Sequence, residues 1–237
     1  MKTTNKLIVF AGPNGSGKST IFEHFINSPI MEGVHYINAD HIAKEWYNDV
    51  QDEYQRNMRA AELAESRRER CLNLKQDFAF ETVLSTDRNL KLMQRAKDNG
   101  YDITTIYVLT ESPEINIQRV KKRVTEGGHD VEADKIRIRY DRCMSLLPEV
   151  IKISNQMLLY DNSIKYSLML YKKQEKILLI TKETSKLFDK ICNIMDENNI
   201  KYKTIIGFEF TSNELDYITN LKNIENELQE EDNELNL

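Results

Sequence analysis

Nine consecutive residues near the amino terminus have the types and spacing that bind a nucleoside triphosphate. The segment GPNGSGKST, which begins at Gly12, matches the pattern G-x-x-x-x-G-K-[ST] in full. Glycines let successive backbone N–H groups point inward around phosphate oxygens, and a helix that starts there adds its positive dipole end. Lys18 is expected to contact the β- and γ-phosphates of ATP, and Ser19 to ligate Mg²⁺. The predicted nucleotide-binding residues are Gly12, Asn14, Gly15, Ser16, Gly17, Lys18, Ser19 and Thr20.

Two carboxylates follow apolar runs at positions where a phosphoryl acceptor would bind. Asp40 comes after the run at 35–38 and could accept the proton of a substrate hydroxyl, or could instead cap the helix that follows. Glu81 and Thr82 end the run at 78–81. Glu81 could hold Mg²⁺ through water or bind substrate hydroxyls, the alternative being a solvent-exposed strand end. We predict Asp40 as catalytic and Glu81 and Thr82 as substrate-binding.

Arginines cluster in two predicted helices on either side of a glycine pair at 127–128, and together these helices form a predicted lid at about 112–147. Arg119 and Arg123 are four residues apart and so share a helix face. A closing lid would bring such guanidinium groups over the transferring phosphoryl group, whereas a single arginine could equally be a solvated surface charge. We predict Arg123 and Arg139 as catalytic and Arg119 as substrate-binding; Arg137 and Arg142 belong to the same cluster. His129 could contact phosphate or acceptor, or simply close the loop by a hydrogen bond.

Short apolar runs alternate with longer amphipathic stretches along residues 1–163. The predicted strands are 7–11, 35–38, 78–81, 103–109 and 157–161, and predicted helices between them include 20–26, 56–74 and 88–99. This alternation predicts an α/β fold with right-handed crossovers and a parallel sheet that helices cover on both faces. The carboxyl ends of its strands would bring the P-loop and the carboxylates together.

The character of the chain changes after residue 163, where we predict a separate appendage, 164–237. It contains an expected edge hairpin of strands 167–171 and 177–181, a helix at 185–198 and a final helix that Ser212 caps. From residue 225 onward there are acidic and no basic residues, which predicts a solvated tail.

Bulk properties narrow the classes of function. The 237 residues carry a net charge of −5, which disfavours a protein built to coat nucleic acid. Three dispersed cysteines predict reduced thiols, and the first apolar run is too short for a secretory signal. No run approaches the length of a membrane span. We therefore expect a cytoplasmic protein with no membrane partner.

Five separated motifs together resemble the zeta toxin family of P-loop kinases, in particular the branch described as zeta-like kinases or predicted ABC-type ATPases. In chain order they are GPNGSGKST, INAD, FETVLS, RVKKRVTEGGHDVEADKIRIRYDR and DNS, and the resemblance covers about 6–163. It implies a sheet of order 2-3-1-4-5, phosphorylation of the 3′-hydroxyl in UDP-N-acetylglucosamine, and restraint by an antitoxin protein. By the same resemblance Asp40 is the general base and Glu81 contacts substrate.

The chain departs from the family pattern just after the predicted strand at 78–81, which we call the acceptor strand, and in the lid. Val83 and Ser85 stand where the toxins have a threonine and an arginine that contact substrate, which argues against the UDP-sugar. In the lid, Ile138, Cys143 and Glu132 replace the usual arginine, serine and proline. The predicted function is ATP-dependent phosphoryl transfer to a small-molecule hydroxyl. A nucleotide-dependent switch and a polynucleotide kinase are the alternatives; an ABC-type mechanical ATPase lacks its signature here.

Overall fold

A run of apolar residues directly before the glycine loop forms the central strand, β1 (Lys6–Ala11), of which all but the first residue are buried. A strand buried on both faces needs parallel neighbours and helices on both sides. β1 pairs in parallel with β3 (Phe78–Thr82) on one edge and with β4 (Asp102–Leu109) on the other. Outside these lie β2 (His35–Ile37) next to β3 and β5 (Gln156–Asp161) next to β4, both parallel. The computed structural model describes residues 4–181 and 184–206.

Three further strands extend the same sheet beyond β5. β6 (Ser167–Lys173) and β7 (Lys176–Thr181) form an antiparallel hairpin, and β8 (Lys203–Ile206) pairs in parallel with β7. Among the described residues the strand order is β2-β3-β1-β4-β5-β6-β7-β8, and its first five strands confirm the predicted 2-3-1-4-5 arrangement. The hairpin itself is also present, but its predicted place at the sheet edge is wrong, because β8 covers its outer strand.

Helices connect these strands, and a short 3₁₀ helix, Pro29–Met31, precedes β2. The α-helices are α1 (Lys18–Phe25), α2 (Ala39–Trp46), α3 (Glu53–Leu74), α4 (Asp87–Asp98), α5 (Pro113–Thr125), α6 (Ala133–Ile153) and α7 (Lys186–Glu197). α3 starts three residues earlier than predicted because the Asp52 side chain accepts a hydrogen bond from the backbone N–H of Gln55, 2.9 Å away. The predicted final helix and acidic tail lie outside the described residues, and the division at residue 163 stays a prediction.

The sheet has two apolar faces. α1 packs on one of them through Ile21, Phe22 and Phe25, against side chains of β1 such as Phe10. Buried residues of α2, α3, α4, α6 and α7 cover the other face, where the alternate β1 side chains lie. Within the described part of the chain, no helix combines the length and the apolar content that crossing a bilayer requires.

The glycine pair separates α5 from α6, as predicted for the lid. Three buried side chains, Ile117, Val120 and Ile136, form a small cluster of their own between the two helices. α6 continues past the predicted end at residue 147 to Ile153, and its second half joins the main core. The lid therefore has one end built into the sheet's covering layer and the other end over the glycine loop.

Candidate active site

The glycine loop joins β1 to α1 and is held in a conformation that only glycine adopts without strain. Gly17 has φ 105°, and a Cβ atom there would lie 2.3 Å from the Tyr166 hydroxyl. That hydroxyl donates to the Gly17 carbonyl at 2.7 Å, and the Asn162 amide donates to the Ser16 carbonyl at 2.8 Å. Two side chains from the segment after β5 thus fix two carbonyls of the loop, and within the loop the Ser16 N–H donates to the Pro13 carbonyl at 3.2 Å.

Lys18 and Ser19, the first residues of α1, lie against the carboxylate of Glu81. The Lys18 Nζ is buried, donates to the Pro13 carbonyl at 3.1 Å and lies 4.0 Å from Glu81 Oε1. The Ser19 hydroxyl lies 3.0 and 3.1 Å from the two Glu81 oxygens, to which it can donate. Burial lowers the pKa of Lys18 below its ordinary 10.5, and the negative charge of Glu81 opposes that shift. An anion bound at the loop would compensate the buried charge.

Three buried polar atoms around the loop have no hydrogen-bond partner in the described residues: Ser16 Oγ, Asn116 Nδ2 and Arg119 Nη1. Such atoms fit a site whose ligand supplies the missing oxygens. No cluster of three or more His, Cys, Asp or Glu side chains in the described ranges could hold a metal by itself. A hydroxyl beside a carboxylate, as at Ser19 and Glu81, matches instead a Mg²⁺ that arrives with a nucleotide.

Asp40 lies in the first turn of α2 and is not its cap. The Asn38 Oδ1 accepts hydrogen bonds from the backbone N–H groups of Asp40 at 2.8 Å and His41 at 3.2 Å, so the alternative interpretation of Asp40 as the N-cap is wrong. The Asn38 amide also donates to the Tyr36 hydroxyl at 2.9 Å. Asn38 therefore caps the start of α2, and the exposed Asp40 carboxylate is not needed as a cap.

The acceptor strand ends in a tight turn after Glu81. The Thr82 hydroxyl accepts from the Leu84 N–H at 3.0 Å and from the Asn89 amide at 2.8 Å. Leu84 is buried with φ 53°, a left-handed conformation that an ordinary side chain adopts only when its surroundings hold it. The sequence predicts that Thr82 binds substrate. In the structure its hydroxyl oxygen already accepts two hydrogen bonds that stabilise this turn.

Cys143 on α6 lies beneath the same turn. Its thiol donates to the Val83 carbonyl, with Sγ 2.9 Å from the oxygen, and the residue is fully buried. Burial raises the pKa of the Cys143 thiol from 9.0 to about 11. Through this hydrogen bond Cys143 connects the lid helix α6 to the turn after β3.

The raised pKa predicts a pH dependence of stability that a serine would not show. Since the unfolded thiol ionises at lower pH than the folded one, the contribution of Cys143 is fully present below pH 9.0 and is lost as pH rises through about 11. Between about pH 8 and pH 10 the wild type should lose about 1 kcal/mol more unfolding free energy than Cys143→Ser. Urea unfolding at both pH values measures this; an equal loss in the two proteins would contradict it.

Two lid arginines reach residues around the nucleotide loop. Arg139 Nη1 donates to Asn14 Oδ1 at 2.9 Å, which joins α6 directly to the P-loop. Arg119 Nη2 donates to the Ser163 carbonyl at 3.2 Å, while its other terminal nitrogen is the unpartnered one. Both guanidinium groups therefore face the space where a triphosphate would lie.

The glycine turn between the lid helices is stabilised by Arg123. Its Nη2 donates to the His129 carbonyl at 2.6 Å, and a Cβ atom at Gly128 would lie 2.5 Å from the Arg123 side chain. The His129 ring forms a hydrogen bond to Glu53 Oε1 at 2.9 Å, at the start of α3. Glu53 and His129 are both exposed, so this contact connects the turn to α3 across the outside of the cavity.

A single cavity of about 690 Å³ brings these groups together. Its lining includes all the predicted site residues except Gly12 and Ser16, which lie under the loop surface. The predicted residues that line it are Asn14, Gly15, Gly17, Lys18, Ser19, Thr20, Asp40, Glu81, Thr82, Arg119, Arg123, His129 and Arg139. Further lining residues that were not predicted are Asn38, Ala39, Val83, Val120, Val131, Asn162 and Tyr166.

Tyr166 was missed because nothing in the spacing around it distinguishes it from other tyrosines. Its hydroxyl holds the Gly17 carbonyl, so Tyr166→Phe should weaken ATP binding about 3- to 10-fold, with kcat nearly unchanged. Isothermal titration with a non-hydrolysable ATP analogue measures the affinity. The control is Tyr202→Phe, whose hydroxyl donates to Asp196 instead. Equal affinities for Tyr166→Phe and wild type would contradict the role.

Comparison of the sequence with family models matches residues 2–184 to the family described as Zeta toxin. A protein of Haemophilus influenzae, described as uncharacterized, is 34% identical over 141 residues, which cover 57% of this chain and 93% of that protein. The family match therefore includes the P-loop, the lid and the whole β6–β7 hairpin.

Two solved structures share the fold. The PezAT chromosomal toxin-antitoxin system of Streptococcus pneumoniae matches with a TM-score of 0.51 and 18% identity, over 68% of this chain and 69% of that one. The complex of AvrRxo1-ORF1 and ORF2 with ATP matches with a TM-score of 0.62 and 16% identity, over 80% of this chain and 64% of that one. Identities this low support the fold alone.

Proposed function

This chain belongs to the zeta toxin family of P-loop kinases, and on that premise we propose that it transfers the γ-phosphoryl group of ATP to a hydroxyl of a small molecule. One observation carries the proposal. The cavity that contains the P-loop also contains an exposed carboxylate at Asp40, a second carboxylate at Glu81 and guanidinium groups from the lid. A site that only bound nucleotide would need neither the carboxylate at Asp40 nor room beside it.

The nucleotide-binding part follows from the loop. Backbone N–H groups and Lys18 would hold the β- and γ-phosphates, since the loop and Lys18 both line the cavity. Ser19 would hold Mg²⁺ beside Glu81, and the ion would neutralise charge on the phosphates. In the AvrRxo1 complex, a fold relative of this chain was solved with ATP, which supports that choice of nucleotide.

The transfer step needs a proton acceptor and a stabiliser of charge. The acceptor oxygen forms a bond to the γ-phosphorus as the bond from that phosphorus to the bridging oxygen breaks, and ADP leaves. Asp40 would take the proton of the acceptor hydroxyl. Arg139, with Arg119 and Arg123, would stabilise the negative charge on the phosphoryl oxygens in the transition state. Positioning and electrostatics would carry most of the rate.

The turn after Glu81 argues against one class of acceptor, the UDP-sugars that zeta toxins phosphorylate. Nucleotide sugars such as UDP-N-acetylglucosamine are the class that the family resemblance indicates. Val83 and Ser85, however, offer one apolar side chain and one short hydroxyl where a toxin would offer threonine and arginine.

The PezAT structure is of a toxin-antitoxin system. An antitoxin protein is the corresponding partner that we propose here.

A panel assay tests the proposed function. The protein is incubated with ATP, Mg²⁺ and, separately, nucleotide sugars, free sugars, an oligonucleotide with a free 5′-hydroxyl, or water alone. Mass spectrometry should find one small molecule heavier by one phosphoryl group, with ADP formed in equal amount. The same mass gain on the oligonucleotide would instead indicate a polynucleotide kinase. ATP binding without transfer to any acceptor in the panel would favour a nucleotide-dependent switch.

A further inference from the structure

A second cavity, of about 430 Å³, lies between α3 and α4. Its walls carry seven charged side chains, and six of these form ion pairs with each other. The pairs are Arg88 with Glu65, Lys91 with Asp87, and Arg95 with Glu69. The carboxylates of this groove are therefore already neutralised by partners of their own.

Arg68 is the seventh charged group, and in the described ranges no carboxylate forms an ion pair with it, although the charge of Glu69 attracts it at longer range. Its guanidinium lies over the Phe80 ring, 5.1 Å from the centroid, and its buried Nε has no hydrogen-bond acceptor there. Burial lowers the pKa of Arg68. A buried N–H donor without an acceptor costs free energy unless a ligand provides one. The unpaired charge gives the groove an excess of one positive charge.

The groove adjoins the active-site cavity through one hydrogen bond. Asn89 lines the groove and Thr82 lines the larger cavity, and the Asn89 amide donates to the Thr82 hydroxyl at 2.8 Å. Phe80, under the Arg68 guanidinium, directly precedes Glu81 in β3. The groove thus lies behind the turn in which Val83 and Ser85 replace the family's threonine and arginine, so that this turn supplies no cation.

We propose that this groove binds an anionic group, a phosphate or a carboxylate, carried by the phosphoryl acceptor, with the Arg68 guanidinium as its main contact. Guanidinium groups bind both anions through paired N–H donors. The inference rests on the proposed function, because it concerns the acceptor of the same reaction. It also predicts that the enzyme prefers an anionic acceptor over a neutral sugar, because a neutral sugar would leave Arg68 unpaired.

The anion site is tested on the full chain with the P-loop filled by Mg²⁺ and a non-hydrolysable ATP analogue. Inorganic phosphate is then titrated while the Nε–H resonances of the arginines are recorded by NMR, the Arg68 signal being assigned through Arg68→Lys. We expect that signal to shift and saturate. Arg67 is the matched control, because its guanidinium stacks on Trp46 at 4.8 Å without facing the groove. An unmoved Arg68 signal would overturn the inference.

The link to the acceptor is tested by kinetics on the substrate that the panel assay identifies. Arg68→Met should raise the acceptor KM about tenfold or more, with kcat and the KM for ATP nearly unchanged. Arg68→Lys should recover part of the loss, and Arg67→Met should show none; thermal unfolding confirms that each variant is folded. A neutral acceptor, or equal KM values for Arg68→Met and wild type, overturns this inference and leaves the proposed function standing. Absence of transfer, with the phosphate shift at Arg68 intact, overturns the proposed function and the assignment of the anion to an acceptor.

Discussion

Asp40→Asn is expected to lower kcat by about 10²–10⁴-fold while the affinity for ATP stays within about twofold of wild type. The amide keeps the shape of the side chain but cannot take the proton of the acceptor hydroxyl. Because Asn38, and not Asp40, accepts the hydrogen bonds at the start of α2, the substitution should leave the helix intact. Initial rates of ADP formation with the identified acceptor, together with calorimetric ATP binding, measure both quantities.

The control for Asp40 lies on the same helix. Glu45→Gln removes an exposed carboxylate of α2 outside the lining of the cavity, so its kcat should match wild type. If Asp40→Asn lost ATP binding and transfer together, Asp40 would have a structural role and the assignment as general base would be wrong. Unchanged kcat in Asp40→Asn would contradict the assignment equally.

Arg139→Met is expected to lower kcat by about 10³-fold or more, by analogy with the loss of an arginine that stabilises a transferring phosphoryl group. Arg139 is the lid arginine that reaches the P-loop directly, through Asn14 at 2.9 Å. Since its charge acts mainly on the transition state, the KM for ATP should change much less than kcat. Steady-state kinetics over a range of ATP concentrations separates the two parameters.

Arg137→Met is the matched control, two residues away on α6. The Arg137 guanidinium contacts Glu114 and Asp134 on the outside of the lid and does not line the cavity. Surface ion pairs of this kind contribute about 0–1 kcal/mol, so both stability and rate should be close to wild type. Equal losses in the two variants would show that the lid needs its overall charge and not Arg139 in particular.

The parts of the fold that were predictable are those in which neighbouring residues carry the signal. The P-loop, the alternation of buried strands and amphipathic helices, and the glycine break at 127–128 are all local patterns. The strand order 2-3-1-4-5 was implied instead by the resemblance to the zeta toxin family, and the structure confirms it. Most predicted site residues then share one cavity, since parallel strands end at the same edge.

The remaining features depend on contacts between distant parts of the chain. The hairpin was predicted, but its inner position depends on β8, which pairs with β7 only after α7 has intervened. Tyr166 acts on Gly17 from 149 positions away, so spacing along the chain could not reveal the contact. Asn38 and Asp40 are both good capping residues by type, and only the backbone geometry decides between them.

The central claim, that this chain is a kinase for a small-molecule hydroxyl, is tested most directly by following the γ-phosphoryl group itself. The wild type and Asp40→Asn are each incubated with Mg²⁺, a metabolite extract and ATP whose γ-phosphoryl oxygens carry a heavy isotope. The account predicts that, with wild type alone, the label appears on the hydroxyl of one small molecule. Label found only in inorganic phosphate, or found equally with Asp40→Asn, would contradict it.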